Sequence, residues 1–172
     1  MAALCVTLTL TAHGGEPLAL QLHGLDVPGV RDIQAGRYAQ GVRRLEARLA
    51  AAGYSASRRA PALIALCAGY ALMYRLDAAA RACDDAIRTG RDTNLAYNNR
   101  AVVNMLRGRY DAAVRDFERA LHRNARDRIA RSNKRIATER VAAIRWQREQ
   151  ALAAGNSDIQ DVSTATLRPA GR

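Results

Sequence analysis

Few side chains in this sequence are placed to do chemistry. The 3 histidines, His13, His23 and His122, are scattered, with no nucleophile or metal ligand at a usable spacing. There is no His-Glu-x-x-His pair, no Gly-x-Ser-x-Gly elbow and no Gly-Lys-Ser/Thr phosphate loop. The acids fall mostly on outer helix faces among arginines, where solvated ion pairs account for them. The chain therefore reads as a non-enzyme, with no cofactor and no metal site. Two other pairs have a more informative spacing. Asn99 and Asn133 stand 34 residues apart, and Cys67 and Cys83 fall within one stretch of helical pattern. A carboxamide both donates and accepts, so it can pair with a peptide group.

The elements that carry these residues are helices. Between Asn94 and Asp127 a first helix runs up to Gly108, where a glycine allows a left-handed backbone at low cost. A second runs to about Arg123, with Ala113, Phe117, Ala120 and Leu121 on one face. Leu76, Ala79, Cys83, Ala86 and Ile87 each precede Tyr110, Ala113, Phe117, Ala120 and Leu121 by 34 residues. Further upstream, Gly36-Arg37-Tyr38 repeats the Gly108-Arg109-Tyr110 turn, and Gly41, Leu45 and Leu49 follow at matching offsets. That first copy is offset by 38 residues from the second, so the loop around Gly53 absorbs four extra residues. Its leading helix, starting near Pro28, is short. In the second copy the leading helix begins at Ala60-Pro61 and buries Leu63, Leu66, Cys67 and Tyr70. From Asp127 one long helix reaches about Ala153, with Ile129, Ile136, Val141 and Ile144 as its apolar stripe and Trp146 packing its apolar face while staying partly wet.

This periodicity and these positions resemble the tetratricopeptide repeat. Gly108, Tyr110, Ala113, Phe117, Ala120 and Leu121 match that family's signature, while Ala125 replaces a closing Pro and Arg100 a common Leu. The resemblance implies an all-α, right-handed superhelical solenoid of about three helical hairpins, closed by the long C-terminal capping helix. It also implies a non-catalytic adaptor or assembly module that binds a protein or peptide. In family members that grip extended peptides, an Asn at the place of Asn99 bonds the peptide backbone. Asn133 repeats that phase, whereas Ala65 ends the ladder on the other side. A solvated or helix-capping Asn pair explains the same residues equally well. Arg100, Arg131 and Lys134 would give the groove a positive field that favours acidic segments, or simply form a solvated face. Folding the second hairpin about Arg75 brings Cys83 level with Cys67, so a disulfide is feasible. Two reduced, buried cysteines are the alternative.

Composition sets the remaining bounds. With 49% apolar and only 5% aromatic residues, the core must be built from Ala and Leu, which suits close-packed helices better than a sheet. The net charge is +11, but all but one of the 27 basic residues, Lys134, are Arg. That ratio fits coding bias in a GC-rich bacterial genome and weakens the argument for nucleic acid. An Arg-rich anion- or nucleic-acid-binding surface stays the second reading of function. No run reaches the ~18 apolar residues of a membrane span. Residues 2–12 have the length of a signal-peptide apolar region, with Ala12-His13-Gly14 as a cleavage site, yet they lack basic residues. Their Thr/Leu alternation also fits a strand. Periplasmic export and a cytoplasmic location both stay open, as does oligomeric state. The chain divides into an N-terminal segment of signal-like and linker character (1–27), a helical domain (28–154) and a disordered tail (155–172).

Overall fold

One turn, used three times, folds the chain into hairpins. Gly36, Tyr74 and Gly108 take left-handed φ values of 79°, 55° and 72°. The next residue's N–H, on Arg37, Arg75 and Arg109, then donates to the carbonyls of Asp32, Tyr70 and Asn104 at 2.8, 2.9 and 2.8 Å. These bonds satisfy carbonyls that a helix end would otherwise leave bare. The turns join α1 (Val30–Gln34) to α2 (Tyr38–Ala50), α3 (Ala56–Leu72) to α4 (Leu76–Arg88), and α5 (Asn94–Leu106) to α6 (Tyr110–Arg123). The last helix, α7, spans Arg128–Ala153. A short antiparallel hairpin, β1 (Leu8–Thr11) with β2 (Pro17–Leu20), is the one sheet among the described residues. The structure, a computed structural model, describes residues 8–11, 16–51, 53–89 and 93–154. The class is all-α.

Each helix packs on its neighbours in sequence, and α3 also meets α5, as α5 meets α7. The close approaches fall where the repeat puts its small residues: Gly41, Ala79 and Ala113 are all buried. At Gly41 there is no room for a side chain, since a Cβ would lie 2.6 Å from both the Gly29 carbonyl oxygen and Ile33 Cγ1. One turn later in each second helix, Leu45, Cys83 and Phe117 are fully buried. Cys67 and Cys83 are bonded to each other across α3 and α4, with their Cα atoms 5.2 Å apart.

Several expectations change in three dimensions. Helix α3 starts at Ala56, ahead of Pro61, because a proline near the first turn leaves only one backbone bond unmade. The long helix is seated by Ala130, Asn133 and Ala137, while Ile129, Ile136, Val141 and Ile144 are only partly covered. Small side chains let α7 come close, so the larger ones flank the contact. Trp146 is 62% exposed. The largest change concerns Glu16–Val27, read from sequence as a linker. Leu18, Leu20, Leu22 and Val27 are buried in the main core with Ile33, Val42 and Phe117. Three leucines at alternate positions are the mark of a half-buried strand, here too short to stand out between Pro17 and Gly24. The tail from 155 onward lies outside the described residues.

Tyr74 is the only described non-glycine residue with a positive φ, and its side chain is 59% exposed. A bulky L-residue in that region is strained, whereas glycine is not, although glycine also loses more freedom on folding. Tyr74→Gly is expected to stabilise the protein by up to ~1 kcal/mol. The check is a higher thermal midpoint than wild type in parallel melts.

Candidate peptide-binding groove

Helices α5 and α7 hold an extended piece of the protein's own chain between them. Successive residues of a strand direct their N–H and C=O groups to opposite edges, so alternate residues present them to the same side. In β2 one edge faces β1, in the register Leu8↔Leu20 and Leu10↔Leu18. Ala19 and Gln21 turn theirs to the helices. Asn133, on α7, accepts from the Ala19 N–H at 3.0 Å and donates to the Ala19 carbonyl at 2.9 Å. Asn99, on α5, accepts from the Gln21 N–H at 2.8 Å and donates to the Gln21 carbonyl at 2.9 Å. Each carboxamide thus imitates the peptide edge of a neighbouring strand. The repeat period places the two amides two strand residues apart.

Asn98 completes the set. It donates to the Ala19 carbonyl at 3.1 Å and to Asn99 Oδ1 at 3.2 Å, and it accepts from Asn133 Nδ2 at 2.9 Å. Asn98, Asn99 and Asn133 are 0%, 0% and 1% exposed, so they are neither solvated nor caps. Buried amides survive in a helix interior only when fully paired. Sequence reasoning passed over Asn98, although two adjacent asparagines inside a helix, where Asn is a weak former, were a usable signal.

Side chains of the strand are gripped as well. The Gln21 amide donates to both oxygens of Asp127, at 2.8 and 3.0 Å. Asp127 also caps α7 by accepting from the Ala130 N–H at 3.0 Å, and it accepts from Asn94 Nδ2 at 2.6 Å. At the other end Glu16 pairs with Arg135, which also holds Glu139. Those carboxylates, Glu139 first, raise the Arg135 pKa.

The cations singled out in the sequence point elsewhere. Arg100 forks onto Asp116 at 2.8 and 2.7 Å and reaches Asp84 at 2.9 Å. Burial alone would lower its pKa, but Asp116, then Asp84, outweigh that and raise it. Lys134 pairs with Glu118 at 3.0 Å, and Arg131 donates to the Ala125 carbonyl at 2.7 Å. The partners these three cations show lie on the helices and in the α6–α7 connection, not on the strand in the groove. Its buried charge is a carboxylate, Asp127. A separate cleft of about 320 Å³ lies between α4, α5 and α6, with Arg107, Arg109, Arg115 and Arg119 on its walls. Among the described residues no cluster of ligands is arranged to hold a metal, and no helix is long and apolar enough to cross a membrane.

No protein-family model matches this sequence, and no curated protein matches it.

From sequence alone, Asn99→Ala is expected to leave stability nearly unchanged. The burial of Asn99 against Gln21 reverses that expectation. Removing the amide strands a buried N–H and C=O, at a cost of ~1–3 kcal/mol. A lower melting point should be accompanied by faster hydrogen exchange at the Gln21 amide than at core amides of α3.

Proposed function

We propose that this chain is a non-catalytic, peptide-binding module of the tetratricopeptide-repeat type, an adaptor or assembly factor built on a right-handed solenoid. The observation that carries the reading is the double pairing of Asn99 and Asn133 with backbone two residues apart. Such pairing recognises an extended chain whatever its side chains, which is what a groove for peptides requires. Residues 17–22 occupy that groove in cis. A tethered segment acts at an effective concentration of the order of mM, so a partner's segment must displace it.

The test uses the full chain and a labelled peptide spanning residues 16–22. Ala19→Pro removes the N–H that Asn133 accepts from, and so weakens the cis strand without touching a helix. Wild type should bind the peptide weakly, the Ala19→Pro chain about tenfold tighter or more, and addition of Asn99→Ala should reverse the gain. Absence of binding to either protein, with helical content intact, rejects the module reading.

A second reading, anion binding, draws on the arginine cleft, where Arg109 and Arg115 have no carboxylate partner among the described residues. Affinity for DNA or RNA that falls steeply with salt would favour it; a salt-tolerant peptide complex would favour the first.

We also assign the protein to an oxidising compartment, on the strength of the Cys67–Cys83 bond. Non-reducing mass spectrometry of native material should find these two residues linked. Two freely alkylated thiols would count against export.

A further inference from the structure

We propose that the groove reads side chains as well as backbone. Its ligands are extended segments with a neutral carboxamide where Gln21 sits and apolar side chains on either side. This inference rests on the peptide-module reading and sharpens it to a ligand class. Asp127 is the residue that sets the choice. Its carboxylate is only 7% exposed, and the groups around it are all donors: the Ala130 N–H, the Asn94 amide and the Gln21 amide. An ionised carboxylate only accepts, so whatever occupies the Gln21 position has to donate.

The other half of the carboxamide narrows the class further. Gln21 is 1% exposed, yet its Oε1 is buried with no hydrogen-bond partner. Among the described residues nothing donates to that oxygen. A glutamate would therefore present two acceptors, one to Asp127 and one to an environment without donors, and its charge would face another buried charge. An apolar side chain of similar length would leave Asp127 short of a partner. An ammonium would have to give up all of its water there, which offsets its attraction to Asp127. A neutral amide is the side chain that meets the site at least cost. Leu20 and Leu22, both buried, fix the flanking preference.

The decisive comparison is among peptides of residues 16–22 carrying Gln, Glu or Leu at position 21, titrated against the full-length Ala19→Pro chain. The Gln form should bind about tenfold tighter or more than the Glu form. Adding Asp127→Asn, which keeps a good capping residue for α7, should shrink that ratio toward unity. Equal affinities of the Gln and Glu forms for the Ala19→Pro chain overturn the selectivity and leave the peptide-module reading standing. Failure of all three to bind a chain of unchanged helicity overturns both. If Ala19→Pro does not fold, the same question is put in cis: Gln21→Glu in the otherwise native chain should lower the melting point at neutral pH. Asp127→Asn should reduce that loss. An unchanged midpoint for Gln21→Glu overturns the proposal.

Discussion

An extended strand laid against helices has no ready partner for one of its edges. Helices use their own backbone groups internally, so the free edge would be buried unpaired. Much of the arrangement of this protein follows from the way that edge is met. Three asparagine side chains supply the acceptors and donors that a neighbouring strand would otherwise provide. With the polar edge satisfied, Leu18, Leu20 and Leu22 can be buried beneath the helices and join the main core. Without those amides, the same leucines could be buried only by stranding peptide groups.

The scaffold supports this at a distance. Repeated turns at Gly36, Tyr74 and Gly108 shape the hairpins alike, and Asn99 and Asn133, one period apart, meet the same extended segment. Small residues at Gly41, Ala79 and Ala113 hold the paired helices close. Asp116, itself buried, ties α6 to α5 through Arg100 and Asn104, and also pairs with Arg119 within α6, away from the strand. The basic surface and the groove are thus separate features.

The sequence made periodic features legible and hid the non-periodic ones. Asn99 and Asn133 could be paired because equal phase on successive leading helices is a matter of counting. The direction of a long, flexible cation is not. Arg100 has its partners in Asp84 and Asp116, each 16 residues away and in different helices, which no local pattern announces. Residues 16–22 were illegible for a related reason. A strand of four residues between a proline and a glycine carries too little alternation to be told from a loop. What defines it is the helix surface opposite, and that surface exists only once the hairpins have stacked.

This arrangement also sets an order of events. Most contacts between consecutive helices are local and can form as each hairpin becomes available. The bond from Ala19 to Asn133 spans 114 residues and waits for α7. The part of the chain made early is therefore the part that finishes late. Until then its three leucines are carried without a place to go, beside a growing stack of helices whose facing side is equally bare. Contacts of such long separation slow folding and prolong exposure of apolar surface. The groove is thus empty for a time in the life of every copy, before its own strand reaches it.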